Sequence, residues 1–139
     1  MNGKITFTMI KPEAVEKKYT GAILKRIIEE GFKIKALKMT RLTKEQAGEF
    51  YEVHKGKPFY DSLITYMSNG PIFAAILEKN NAVDDFRKLL GKTDPNEADK
   101  GTLRKEFAES MSKNAVHGSD SDENANIEAN FFFSRRERF

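Results

Sequence analysis

Lys4-Ile5-Thr6-Phe7-Thr8-Met9-Ile10-Lys11-Pro12 sets the reading of this chain. Apolar and polar residues alternate up to Ile10, the period of a half-buried strand, and the run stops at Lys11-Pro12. Pro12 suits the first turn of a helix, where its missing N–H costs nothing.

Further elements follow outward from that strand. Ile23, Leu24, Ile27 and Ile28 recur with helical period and Gly31 stands as a stop, which predicts a helix from about Tyr19 to Glu30. Phe32, Ile34, Ala36, then Leu37 and Met39, read as a second strand. Thr43-Lys44-Glu45-Gln46 has capping-box form and opens a helix with Ala47, Phe50 and Tyr51 on its apolar side. Pro71 to Leu77 reads as a third strand, and a helix carrying Val83, Phe86, Leu89 and Leu90 ends at Gly91. From Gly91 to Asn114 there is one brief helical hint, around Thr102 to Phe107; loops longer than ~12–15 residues without structure of their own are usually functional or disordered. A short strand at Asn114 to His117 and a helix from about Asp120 to Phe131 complete the order. Strand, helix, strand, strand, helix, strand predicts an α/β (α+β) fold of ferredoxin-like βαββαβ type, a four-stranded antiparallel sheet covered by helices.

Composition narrows the function classes. The 139 residues fit a single domain over 1–139, and 39% hydrophobic content with eleven Phe argues for a folded globule. The absence of cysteine excludes disulfides, thiolate metal sites and Cys nucleophiles. A net charge of +3, with Arg135, Arg136 and Arg138 crowded at the end, is not the footprint of a dedicated nucleic-acid binder. No signal-type start and no run of ~18 apolar residues is present, so no membrane partner and a soluble cytoplasmic protein are expected. Gly91-Lys92-Thr93 resembles the end of a P-loop, but the glycine required five positions earlier is Phe86. That argues against Walker-type phosphate binding.

One of the two histidines, His117, lies in Asn114-Ala115-Val116-His117-Gly118-Ser119-Asp120-Ser121-Asp122. A histidine at a strand end can be structural or nucleophilic. Gly118 would allow a tight turn and free the ring face, and Asp120 could cap the next helix. Ser119 and Glu128 could hold one imidazole nitrogen protonated, whereas Asp122 and Glu123 read as a solvated helix start. Lys11, Arg87 and Arg104, with Thr93 between the last two, could be separate surface charges or could converge on a polyphosphate. Tyr51 and His54 share a helical face at i,i+3, and Phe59 is either core or a stacking plate for a base.

Together these residues resemble the nucleoside diphosphate kinase family over essentially the whole chain, most closely its bacterial members. The most specific part is Asn114-x-x-His117-Gly118-Ser119-Asp120 with Thr93 and Arg104 upstream. The resemblance implies ping-pong transfer of a γ-phosphoryl group, mainly from ATP, to nucleoside diphosphates through a phosphohistidine. It implies His117 as nucleophile through Nδ1, Glu128 and Ser119 orienting the ring, and Tyr51 beside the transferred group. Lys11, His54, Arg87, Thr93 and Arg104 would bind phosphates, Lys11 and Asn114 the ribose 3′-hydroxyl. Phe59 would stack on the base, with Leu63 and Met111 as apolar neighbours. Mg²⁺ would arrive on the nucleotide phosphates, with no metal ligands supplied by the protein.

Glu13 and Ala14 stand where the family usually has Asp and Gly, and Lys100 where many members have proline in a loop that holds hexamers together. The resemblance implies a homo-oligomer, a tetramer or hexamer built from dimers, with Phe131-Phe132-Phe133 and the aromatic end as core and interface. Two competing classes are a binding module without turnover and a nucleic-acid binder acting through the basic tail. The first is opposed by the filled catalytic positions, the second by the modest charge.

Overall fold

The structure is a computed structural model and describes residues 2–139. Its elements are β1 (Ile5–Ile10), α1 (Pro12–Glu16), α2 (Thr20–Glu29), β2 (Lys33–Thr40), α3 (Lys44–Phe50), α4 (Tyr60–Met67), β3 (Ile72–Glu78), α5 (Ala82–Leu90), α6 (Leu103–Phe107), β4 (Val116–Gly118) and α7 (Asp122–Phe132). Single 3-10 turns lie at Glu52–His54 and Arg135–Glu137. The strands form one sheet in the order β2-β3-β1-β4, each neighbouring pair antiparallel. β1 and β2 are thus parallel with β3 between them, the split βαβ arrangement expected from the element order.

The opening strand is more buried than its alternation suggested. Phe7 and Met9 enter one core with residues of α3, α4 and α7, and Ile10 enters a second core with residues of α1, α2 and α5. Helices therefore cover both faces, and the intervening Thr6 and Thr8 are buried too. Both are β-branched and suit a strand; Thr8 Oγ1 donates to His117 O at 2.8 Å, whereas the Thr6 hydroxyl is buried with no partner among the described residues.

The apolar positions of β2 change phase between Ala36 and Leu37, and the ladder with β3 has an irregularity between Ile34 and Ala36. A bulge there sends Ile34 and Ala36 to opposite cores. Leu37 and Met39 beyond it are exposed at the sheet edge. The capping box at Thr43 is formed, with Gln46 N–H donating to Thr43 Oγ1 at 3.1 Å and Thr43 N–H to Gln46 Oε1 at 3.0 Å. Helix α4 was not foreseen, although Tyr60, Leu63, Ile64 and Met67 recur at i, i+3, i+4 and i+7.

The long connection after α5 is tied down. Arg26 on α2 donates to Glu106 at 2.7 Å and to Gly101 O at 2.5 Å, Lys17 pairs with Glu109, and Pro95, Ala98 and Leu103 are buried. Phe132 and Phe133 belong to the core, as expected, while Phe131 is partly exposed. The basic end folds back: Arg138 donates to Asn130 at 2.7 Å and to Phe133 O at 2.9 Å. No helix among the described residues is long and apolar enough to cross a membrane.

Candidate functional site

β4 is a short edge strand on β1, and its register decides where His117 points. Thr8 pairs with Gly118, Met9 with His117 and Ile10 with Val116. His117 therefore shares the face of Met9, while Val116 and Gly118 face the core on the other side. Phe7, Phe50 and Tyr51 surround the imidazole at centroid distances of 6.1, 5.5 and 6.5 Å, the last two edge to face.

Gly118 serves a different purpose from the one read in the sequence. It has no positive φ, so it makes no special turn. A Cβ there would lie 2.6 Å from Leu90 Cδ1 and 3.0 Å from Phe86 Cδ2. Glycine is required because α5 packs directly on β4. Asp120 is likewise not the cap of α7: Ser121 is, accepting Asn124 N–H at 3.0 Å, while Asp120 accepts from the Asn124 side chain. Asp122 is not merely solvated, since it accepts Gly3 N–H at 3.1 Å.

Glu128 on α7 reaches His117 directly, Oε1 to Nε2 at 2.9 Å. Ser119 acts one step removed: its hydroxyl donates to Glu128 Oε1 at 2.5 Å and accepts Phe7 N–H at 3.3 Å. The two residues do not share the ring between them; Ser119 fixes the carboxylate that fixes the ring.

Across from the imidazole, α3 ends at Phe50 and a 3-10 turn continues the chain, with His54 N–H donating to Tyr51 O at 2.8 Å. Because i and i+3 nearly eclipse in such a turn, the Tyr51 and His54 rings stack at 6.2 Å. Phe59 lies 5.3 Å from His54 and is 46% exposed. Burial, aided by the charge of Glu128, pushes the Tyr51 hydroxyl well above the usual phenol range, so it stays a neutral donor, and it is buried with no partner among the described residues. Burial and then Lys57 lower His54, with Asp120 opposing them.

The cations are neighbours of one another near the end of β1. Lys11, 6% exposed, ends β1 and donates from Nζ to Asn114 Oδ1 at 2.7 Å. Burial, with Arg104 adding to it and Glu13 opposing it, brings its pKa down to about 8. Arg104 on α6 donates to Gly91 O at 3.2 Å and Val116 O at 3.0 Å, and its buried Nε has no partner among the described residues. Burial and the neighbouring Arg87 lower its pKa to about 10. Arg87 and Arg104 line one cleft with Gly91, Lys92 and Thr102. Thr93 is exposed one residue beyond Lys92. Met111 is 58% exposed and its carbonyl accepts Asn114 Nδ2–H at 3.1 Å, while Leu63 packs against the core that contains Tyr51.

Tyr51 and Glu128 therefore touch the His117 imidazole directly, with His54 stacked on Tyr51 and Ser119 bonded to Glu128, while Lys11 pairs with Asn114 three residues before His117 and neighbours Arg104, which in turn neighbours Arg87. Thr93, Leu63 and Met111 sit at the margin. Two contributors escaped the sequence reading. Phe50 is a wall of the imidazole and not simply core, and Thr8 holds the His117 carbonyl. Only the register of β4 on β1 and the end of α3 reveal them.

Comparison with known proteins agrees with this arrangement. The nucleoside diphosphate kinase family profile matches residues 4–138. The chain is 58% identical over 134 residues to the nucleoside diphosphate kinase of Flavobacterium psychrophilum, covering 96% of each chain. It is 55% identical over 132 residues to that of Chlorobium limicola, covering 95% of this chain and 94% of the relative. The Aquifex aeolicus nucleoside diphosphate kinase structure superposes with a TM-score of 0.95 at 47% identity, covering 98% and 99% of the two chains. A Halobacterium salinarum nucleoside diphosphate kinase solved with CDP gives 0.93 at 33% identity, covering 100% of this chain and 92% of that one. With matches of this length and identity, the chain belongs to the nucleoside diphosphate kinase family, enzymes that pass a terminal phosphoryl group between nucleotides.

Proposed function

We propose that His117 carries the phosphoryl group and reacts through Nδ1. The observation behind this reading is the 2.9 Å contact between His117 Nε2 and Glu128 Oε1. An ionised carboxylate can only accept, so Nε2 bears the proton and the lone pair is left on Nδ1. In the first half-reaction Nδ1 attacks the γ-phosphorus, the bond to the β,γ-bridging oxygen breaks, and the diphosphate departs. In the second, a terminal oxygen of the acceptor diphosphate attacks the same phosphorus, the N–P bond breaks and a neutral imidazole returns. The charge gained by the ring while phosphorylated is countered by Glu128, which Ser119 holds in place.

Lys11, His54, Arg87, Thr93 and Arg104 bind phosphate oxygens, and Lys11 with Asn114 meets the ribose 3′-hydroxyl. Tyr51 donates beside the transferred group, Phe59 stacks on the base, and Leu63 and Met111 flank it. The buried unpaired donors on Tyr51 and Arg104 and the half-exposed ring of Phe59 support this division. The pocket offers cations and neutral donors, which fit phosphate oxygens, and Mg²⁺ would be held by those oxygens. When bound, it offsets charge on the phosphates. The CDP complex of the Halobacterium relative supports nucleotide substrates.

The chain acts as one domain over 1–139 in the cytoplasm, and it self-associates into a tetramer or hexamer built from dimers. Exposed Ile28, Leu37 and Met39 support the association. Incubation with γ-labelled ATP and Mg²⁺ tests the central reading: acid-labile, base-stable label is expected on the wild type and none on His117→Gln. Label surviving that substitution would sink it.

A further inference from the structure

We propose that Glu13, braced by Tyr66, is a positioning residue that holds the peptide at Ala115 in its left-handed conformation and thereby aims Asn114 and His117 into the site. Ala115 is fully buried, has φ of 71°, and lies between the Lys11 to Asn114 hydrogen bond and the start of β4. An L-residue with a Cβ disfavours that region and persists there only when its surroundings over-determine it. Locally, Val116 N–H closes onto Asn114 O at 2.8 Å, a three-residue turn with Ala115 at its centre and a strained one, and two residues of one short stretch hold that turn from outside. Ala115 O accepts Lys11 N–H at 2.8 Å, and Ala115 N–H donates to Glu13 Oε1 at 3.0 Å. The second carboxylate oxygen is taken by the Tyr66 hydroxyl, which donates to Glu13 Oε2 from α4.

Ala115 is therefore gripped through both flanking peptides, at its N–H and at its C=O, by the same Lys11-Pro12-Glu13 stretch that delivers the Lys11 ammonium. Asn114, immediately before it, accepts from Lys11 Nζ at 2.7 Å, and His117 follows two residues later. If Ala115 returned to negative φ, the chain would change direction between these two groups. In the sequence Glu13 looked like a neighbour of Lys11 and no more. The bland role left for it is a first-turn acid on α1, a helix of only five residues, or a counter-charge to Lys11.

This inference rests on the His117 reading, and the experiment separates the two. Wild type, Glu13→Ala, Glu13→Gln, Tyr66→Phe, Ala115→Gly and the Glu13→Ala/Ala115→Gly double variant are compared by single-turnover labelling of His117 with γ-labelled ATP. Steady-state kcat and KM and melting temperature are measured alongside. Glu13→Ala is expected to slow phosphorylation about tenfold or more with less than about threefold change in nucleotide KM. Glu13→Gln keeps an oxygen for the Ala115 N–H and presents an NH2 that can donate to the Tyr66 oxygen, so the brace persists with its second bond reversed and the rate should stay within about threefold of wild type. The Glu13→Ala penalty should shrink in the Ala115→Gly background, since glycine adopts that φ without a brace.

Tyr66→Phe leaves the Glu13 to Ala115 bond in place and should slow labelling about two- to fivefold; it also serves if Glu13→Ala does not fold. Wild-type rates in Glu13→Ala, equal damage from Gln and Ala, or an undiminished penalty beside Ala115→Gly would each overturn the role of Glu13. An unchanged Tyr66→Phe would overturn that of Tyr66. A wild-type chain that takes no acid-labile label would overturn the phosphohistidine reading itself, and this inference with it.

Discussion

The site has two halves built on opposite terms. The half on the sheet, Lys11, Asn114, His117, Ser119 and Glu128, is buried or nearly so, and each of its side chains is already hydrogen-bonded to protein. The half on the rim, His54, Phe59, Arg87, Thr93 and Met111, stands on a 3-10 turn, a helix surface and loops and is mostly exposed. A nucleophile gains from having its geometry fixed before the substrate arrives, because orientation lost to side-chain freedom is paid back in rate. Groups that recognise a phosphate or a base must instead keep donors and ring faces open. Substitutions at His117, Ser119 and Glu128 should therefore fall on kcat, those on the rim on KM, and those at Lys11 and Asn114, which also meet the nucleotide, on both.

The sharpest way to break that division is Glu128→Ala. Without the carboxylate the imidazole loses both tautomer control and orientation, and kcat should drop about 10²-fold while nucleotide KM stays within about threefold. A dominant KM effect would merge the halves. Phe59→Ala comes next: stacking is worth roughly 1–3 kcal/mol, so KM should rise about tenfold for purine and pyrimidine diphosphates alike with kcat nearly unchanged. A penalty confined to one base would show that the ring reads more than a π-face.

Gly118→Ala sharpens the sheet half through packing. The added Cβ would meet Leu90 Cδ1 at 2.6 Å, and overpacking of this kind costs about 1–3 kcal/mol, seen as a melting temperature lowered by several degrees. An unchanged melting temperature would mean that β4 and α5 yield more easily than their contact implies.

The smallest expected effect concerns Lys11, whose pKa is lowered to about 8 mainly by burial. A phosphate beside it favours the ammonium, so nucleotide binding above pH of about 8 should take up a fraction of a proton and weaken as pH rises. Calorimetry in buffers of different ionisation enthalpy reads this uptake, and Lys11→Met should abolish it. The sign for folding follows from the same shift. The unfolded chain holds the Lys11 proton up to its ordinary pKa near 10.5, so between about 8 and 10.5 this group makes stability rise with pH.

Much of this could be read before any coordinates. Periodicity located the strands and most helices because a sheet covered on one side or both leaves apolar spacing in the chain, and the capping box at Thr43 and the glycine stops marked their ends. Helix α4 was missed because its four-residue apolar pattern follows directly on Lys57-Pro58-Phe59, where a turn was the stronger signal. His117, Lys11, Tyr51 and Glu128 could be named as types of group suited to phosphoryl transfer, and the family resemblance gave them roles. What spacing could not supply was any contact between residues far apart in the chain: that Ser119 acts through Glu128, that Gly118 makes room for Leu90, or that Asp122 holds the amide of Gly3.

Local spacing and side-chain type suffice for the order of the strands and most of the helices, for the absence of thiol chemistry and for the inventory of groups able to bind phosphate. Tertiary contacts set which ring nitrogen of His117 meets Glu128 and how Ala115 comes to be held at positive φ. Both depend on hydrogen bonds between distant segments, Glu128 to His117 and Glu13 to Ala115, and those exist only after the sheet has closed and α7 and α1 have packed against it.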